Sequence, residues 1–528
     1  MNERKTGFFL GFQPGVNLST EGIGRLLAFV LKEREEGIHD EIVIFCPKWL
    51  VNSIHALLED NKIPLDNFEI VSTTKIPLGI KFKDFLSNRR KKESFNQSKF
   101  LKLKEALKYF LKKCIASFFN STSWYKILLD VTLLLLTGIV FFPAILLLVT
   151  LFVLYQGMKF SLKMIQKVIP VKSMIYKLKT YIAAGKSSIY FSVIDTELVR
   201  IVQLVNKRKD IEKCFIPTMI WPQISGLKCK KIVAAPDIVF YDFPTQFPGV
   251  ELTHSKIRET IDSADFFICY SDFVKQHHLI EKCGIEPQKI SVIKHANIDM
   301  IEHIKLPKSI RKYYSLKQNA KHIIDNYVLS RFTDSHPFYN IDYEQIDYII
   351  YSSQYRPHKN IFNLIKAIRI LNYENRRNVK LIVTGDFRRE SAISEYVRNY
   401  HLENDIFIFN NISSELLAAL NCLAKCAVNP TLFEGGFPFT FSEAYSVGTP
   451  SVMSEIPVVL AEINSNDLRK KMLFDPYNPY SIADKIIWAV DNASDLYKEQ
   501  EALYHQFSNR DWKAVATEYH KVFNQLVG

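Results

Sequence analysis

Residues 429–454, NPTLFEGGFPFTFSEAYSVGTPSVMS, bring two carboxylates, a glycine pair and the start of a helical pattern into one short stretch. The apolar residues before Pro430 read as a strand end, Gly435, Gly436, Phe437 and Pro438 as a loop, and residues 440–446 as a helix. A glycine pair lets backbone approach a ligand closely. A helix whose first turn faces that loop offers unpaired amides and a positive dipole end to a phosphate or sugar oxygen. Glu434 stands just before the loop and Glu443 one turn into the helix. An ionised carboxylate accepts hydrogen bonds from two hydroxyls, as recognition of a ribose or hexose diol requires. Gly448, Thr449 and Pro450 end the helix and lead into another strand.

Such a loop needs a rigid sheet behind it, and the rest of the chain supplies the pattern for two. Strand-like apolar runs at 7–12, 41–46, 67–71, 215–220, 237–241, 265–270 and 290–294 alternate with helical patterns, the first over 22–36. A second series follows, with a strand near Tyr348, a helix over 360–372, strands at 379–385 and 405–409, a helix over 413–424 and a strand at 426–429. Alternation of this kind predicts parallel sheets wrapped by helices, hence an α/β chain of two lobes. With 528 residues the chain is long enough for two or three cores.

The 429–454 segment resembles the retaining glycosyltransferases of family four, whose fold is GT-B. The family signature is Glu, seven residues, Glu, then Ala and Gly-Thr-Pro. Glu443, Ala444, Gly448, Thr449 and Pro450 match in register, while eight residues separate Glu434 from Glu443. The resemblance implies two Rossmann-like lobes facing a cleft, with Glu443 binding the nucleotide ribose. Glu434 and the loop Gly435, Gly436, Phe437 and Pro438 would hold the donor sugar. Within YIIYSSQYRPHKN, residues 348–360, Lys359 matches the family's diphosphate-binding lysine. A cation there stabilises charge growing on the leaving diphosphate. The family's arginine five residues earlier is Gln354 here, and Arg356 is the cation offered in its place. TEGIGRLLAFVLK, residues 20–32, is similar to the family's first loop and helix, which puts Gly22 and Gly24 near the donor phosphates. PDIVFYDFPTQFP, residues 236–248, resembles a stretch that usually reads His-Asp; Tyr241 replaces the histidine and Asp242 keeps the aspartate. Catalytic roles thus fall to Glu434, Lys359 and Asp242. Residues 264–299 match the end of the first lobe and include Ser271 and Lys275. His277 and His278 in that stretch are expected to be exposed helix residues rather than ligands. Trp512 through Leu526 resembles a closing helix that returns to the first lobe.

No Asp-x-Asp pair occurs in the sequence. A divalent ion under a diphosphate usually needs one, so no metal and no cofactor beyond the nucleoside-diphosphate sugar is expected. Lysine, amides and a helix dipole would do that work.

Residues 80–186 fall outside the resemblance. Within them 127–155, ILLDVTLLLLTGIVFFPAILLLVTLFVLY, hold a single charge, Asp130, a membrane candidate by length and apolarity. Two amphipathic flanks carry lysine every fourth position: Lys104, Lys108 and Lys112, then Lys159, Lys163 and Lys167. Helices of this kind lie in a membrane interface with ammonium groups toward anionic headgroups. The net charge of +13 is concentrated there, with 20 Lys and Arg against 4 Asp and Glu in residues 81–186. That distribution points to membrane lipids through residues 97–182 and excludes a wholly basic nucleic-acid binder. The eight cysteines form no CxxC pair and are expected reduced, with Cys46 and Cys269 in strands and Cys422 and Cys426 on one face of a buried helix. Phe8, Phe9 and Leu10 open a strand rather than a signal peptide.

The expected organisation is a first lobe built from 1–79 and 187–300, interrupted by a helical membrane-associated insert at 80–186. A connector follows at 301–347, then a nucleotide-sugar lobe at 348–500 and a closing helix at 501–528. The expected activity is sugar transfer from a nucleoside-diphosphate sugar to a membrane-located, lipid-linked glycan acceptor, with retention and on the cytoplasmic face. Two alternatives share the fold: a nucleotide-sugar epimerase and a non-catalytic membrane scaffold.

Overall fold

The computed structural model describes residues 5–20, 22–32, 41–81, 190–236, 238–306, 315–334 and 336–525, with Tyr125, Leu128 and Thr132. It divides into one unit of Met1–Thr73 with Leu198–Gly528 and a second of Thr74–Glu197. The amphipathic flanks lie outside the described residues, as does the apolar run apart from Leu128 and Thr132. Among the described residues no helix is long and apolar enough to cross a membrane.

The larger unit contains two parallel sheets. The first has seven strands in the order β3-β2-β1-β4-β5-β6-β7. They are β1 Lys5–Phe9, β2 Glu41–Cys46, β3 Glu69–Ser72, β4 Ile211–Ile216, β5 Lys230–Ala234, β6 Phe266–Cys269 and β7 Ile290–Val292. The second has six in the order β10-β9-β8-β11-β12-β13. They are β8 Tyr348–Tyr351, β9 Lys380–Val383, β10 Ile406–Ile408, β11 Cys426–Asn429, β12 Ser451–Ser454 and β13 Leu473–Phe474. Strands such as YIIY and SVMS are buried along their whole length, as a sheet covered by helices on both faces demands.

Helices Ile361–Arg369 and Pro479–Asp491 cover one face of the second sheet through Leu364, Ile365, Ile368, Ile482 and Ile486. Helices Leu316–Arg331 and Ser414–Leu423 cover the other through Ala320, Ile324, Leu417 and Leu420. The last helix, Trp512–Gln525, packs on the first lobe, where Val515, Tyr519 and Phe523 join Phe8 and Phe215 in one core. Phe523 meets Phe8 edge-on at 6.0 Å between ring centroids.

The strand expected at 215–220 lies four residues earlier, as β4, and two further local expectations fail. Residues 238–241, the described part of the expected 237–241 strand, are not a strand. The strand of that region is β5, and Val239–Asp242 forms a single helical turn. The apolar side chains after Pro236 follow the carboxyl end of β5, an interior strand, where burial does not require extended backbone. Cys426 is not on a helix with Cys422. The helix ends at Leu423 and Cys426 opens β11; both thiols are buried, and burial pushes them up to about 12 and about 11.

Candidate functional site

Both sheets reverse strand order beside their first strand, between β1 and β4 and between β8 and β11. Loops leaving the carboxyl ends of such a pair run apart and leave a crevice. In the second sheet those loops are residues 352–360 and 430–438, and they carry Lys359 and Glu434. Lys359 closes a 3-10 turn, Pro357–Lys359, and Asn360 follows with φ of 58° in the left-handed region. The Asn360 amide donates to the carbonyls of Pro430 at 2.9 Å and Pro476 at 2.7 Å. Leu432 N donates to the His358 carbonyl at 2.8 Å. These bonds hold the two loops side by side, so that Lys359 Nζ lies 2.6 Å from Glu434 Oε1 with both side chains about four-fifths buried. His358 is buried beside them, and burial, helped by the charges of Lys359 and Arg356, pushes its imidazole down to about 3.

The glycine pair docks the second lobe onto the first. Ser271 Oγ donates to the Gly435 carbonyl at 2.8 Å. A Cβ on Gly436 would lie 3.2 Å from that of Tyr270, so the close approach falls between backbone and first lobe. Phe437 stacks on Phe507 at 4.9 Å, and Pro438 precedes the Phe439–Tyr445 helix. Glu443, on that helix, has a side chain only 3% exposed, and it accepts from the Arg25 guanidinium of the first lobe. The same helix is tied to the interlobe linker, Ile298 N donating to Ser442 Oγ and Met300 N to Ser446 Oγ, each at 3.0 Å. Arg25 lies on the Gly22–Lys32 helix. A Cβ on Gly24 would come within 1.9 Å of the Leu18 carbonyl, so only glycine lets that helix start where it does. Gly22 has open space around its Cα.

Asp242 and Tyr241 belong to a separate cluster in the first lobe. Asp242 Oδ2 lies 2.8 Å from His278 Nε2, and Oδ1 accepts from Lys282. Burial pushes the Asp242 carboxyl up, but the bonds from His278 and Lys282 outweigh it and hold it below the usual range. His278 is therefore not an exposed helix residue: it is fully buried. The Val274–Lys282 segment winds as a π-helix and turns His278 and Lys282 together onto Asp242, while His277 is half-buried, its ring pairing with Glu281. The His278 ring lies 5.3 Å from Phe433, the neighbour of Glu434. Tyr241 stacks on His254 at 4.5 Å. Among the described residues, Asp242, His277 and His278 are the group whose ligand atoms come close enough to hold a metal ion. The Lys282 ammonium already on Asp242 opposes a cation there.

The crevice thus gathers Lys359, Glu434, Gly435 and Gly436, with Glu443 at the lobe junction. Arg356 is exposed at the mouth of the 352–360 loop. Sequence reasoning missed Arg25, although it adjoins the two glycines singled out at that helix start. It also missed that His278 and Lys282 both meet Asp242, 36 and 40 residues away in sequence. Gly385 was missed as well: a Cβ there would lie 2.6 Å from the Ser353 carbonyl, which brings the end of β9 against the Lys359 loop.

Residues 334–508 match the family model described as Glycosyl transferases group 1. No curated protein matches the chain in sequence. A glycosyltransferase structure from Rickettsia africae is similar over 100% of this chain and 99% of its own, at 13% identity and a TM-score of 0.52. The structure of Anabaena HepE in complex with UDP and glucose is similar over 99% of this chain and 100% of its own, at 12% identity and a TM-score of 0.56. At such identity the two structures speak for the fold, and the family match for the activity.

Proposed function

We propose that this chain, a glycosyltransferase of the GT-B fold with a glycosyl transferases group 1 domain at residues 334–508, moves a sugar from a nucleoside-diphosphate sugar to a membrane-located, lipid-linked glycan acceptor with retention. The observation that carries the donor assignment is the Lys359–Glu434 pair at the β8/β11 switch point. Lys359, with Arg356 at the loop mouth, meets the charge that builds on the leaving diphosphate. Glu434 and the amides of Gly435, Gly436 and Phe437 take the donor sugar's hydroxyls, and Pro438 sets the turn into the helix that carries Glu443. Glu443 accepts from the ribose. Gly22 leaves first-lobe backbone open to the phosphates, Gly24 sets the start of the helix behind it, and Asp242, held by His278 and Lys282 with Tyr241 beside it, is assigned to the transferred sugar on the first-lobe side. The transition state is oxocarbenium-like, and a closed cleft keeps water from competing with the acceptor.

HepE was solved with UDP and glucose, so UDP-glucose is the first donor to try. A ligand that binds only the folded state raises the melting temperature. A panel of nucleoside diphosphates and their sugars should therefore contain at least one that does so here. If none shifts the melting temperature at millimolar concentration, the donor assignment fails.

The membrane side of the proposal rests on the insert. The chain leaves the first sheet after β3 and returns to it at β4, so both ends of the insert are tied to one side of any bilayer. Two full crossings need about 40 apolar residues, more than the 127–155 run contains. Lysine-rich flanks favour the cytoplasmic face. Leu128, at the start of the run, is 61% exposed, which suits an outward apolar face. A re-entrant hairpin turning near Gly138 to Pro143 meets these constraints. Single cysteine probes at those two positions, in a cysteine-free variant, should resist an impermeant reagent added from the far side. Labelling from that side means that the insert spans.

A further inference from the structure

Glu443 is a nearly buried carboxylate with one satisfied oxygen. Its Oε1 accepts from Arg25, and among the described residues its Oε2 has no hydrogen bond. Arg25 is one-third exposed and reaches across from the other lobe. Its place is fixed by the tight start of its own helix, where Gly24 lies against the Leu18 carbonyl. The position of Glu443 is fixed by the bonds from Ile298 and Met300 to its helix. A glutamate left to itself samples several rotamers, and ordering it costs conformational entropy. A charge-assisted bond from a guanidinium removes that freedom.

We propose that Arg25 is a positioning residue for nucleotide recognition: it holds Oε1 of Glu443 so that Oε2 is presented to a ribose hydroxyl of the donor. This rests on the reading of Glu443 as the ribose acceptor and adds a condition to it. Arg25 and Glu443 come from different lobes, so the ribose site is complete only while the lobes are docked. Ribose binding and lobe docking are then linked, and each favours the other to the same degree.

The test compares the affinity of UDP with that of 2′,3′-dideoxy-UDP. One charge-assisted hydrogen bond to a ribose hydroxyl should make the wild-type protein prefer UDP about tenfold. Arg25→Met should bring that preference close to one, and Arg25→Lys should restore part of it. Turnover at saturating donor should change much less than kcat/KM. If Arg25→Met weakens both ligands alike and leaves the preference intact, Arg25 only clamps the lobes and the proposal fails. It fails too if both ligands bind more tightly, because Arg25 then competes with ribose. Glu443→Gln separates the two layers: a wild-type preference in that variant overturns the ribose role of Glu443, whatever Arg25 does. Should Arg25→Met fold poorly, the Arg25→Met/Glu443→Gln double variant leaves no unpaired charge. Its preference should equal that of Glu443→Gln alone, and a further loss would refute the coupling.

Discussion

Lys359→Met keeps the length of the side chain and removes its charge, and two separable losses should follow. The first is catalytic. Lys359 is the cation in contact with Glu434, at 2.6 Å, in the crevice assigned to the diphosphate. Removing one preorganised group aimed at developing charge typically lowers turnover by about 10²- to 10³-fold, or ~3–4 kcal/mol of transition-state stabilisation. The second loss is structural. Glu434 would keep its charge without a partner in a place only 20% exposed. Breaking a fully buried pair costs ~3–5 kcal/mol, and partial exposure here lets water screen the remaining charge, so about 1–2 kcal/mol is expected. That corresponds to a fall in Tm of a few degrees. The Lys359→Met/Glu434→Gln double variant should regain most of the lost stability and none of the turnover. The assay is initial-rate sugar transfer at saturating donor, with Tm measured on the same preparations. Turnover of Lys359→Met within threefold of wild type refutes the diphosphate assignment. Recovery of activity in the double variant would show that the loss was structural alone.

Glu434→Ala should also lower turnover by about 100-fold or more, because the donor sugar loses its main acceptor of hydroxyl protons; near-normal kcat and KM would remove Glu434 from the site. Catalysis should survive EDTA, since a lysine and backbone amides stand where an Asp-x-Asp site would bind metal; activity that vanishes in EDTA and returns with magnesium or manganese contradicts this. Stability should fall as pH drops from about 6.5 toward 3, because unfolded His358 takes up a proton near 6.5 while the buried residue resists to about 3. The slope from this residue is at most ~1.4 kcal/mol per pH unit, and His358→Asn should flatten the fall in Tm; an unchanged slope would show that His358 does not contribute.

What the sequence made legible, and what it hid, follows from the range of the interaction. Strand β11 is found over the residues expected from its apolar run, because a central parallel strand covered on both faces is buried along its whole length. The helix after the glycine loop lies within one residue of its expected place, 439–445 for 440–446. Residues 238–241, IVFY, are apolar too and are not a strand, because apolarity reports burial rather than extended backbone. The His278–Asp242 bond spans 36 residues, and no local period marks it. Arg25 and Glu443 are 418 residues apart, and nothing in either neighbourhood announces the other. Their pairing depends on how two independently patterned sheets dock, through Ser271, Gly436 and the linker bonds to Ser442 and Ser446. The motif around Glu443 could therefore point to ribose without saying what fixes the carboxylate. The chemistry of the donor lobe is written locally, at the carboxyl ends of β8 and β11, because the switch in strand order alone brings those loops together. The contribution of the first lobe appears only once the two are docked. A variant search confined to the conspicuous loop would accordingly miss residues such as Arg25, and the side chains that couple donor binding to lobe closure are best sought among first-lobe groups with partners beyond their own sheet.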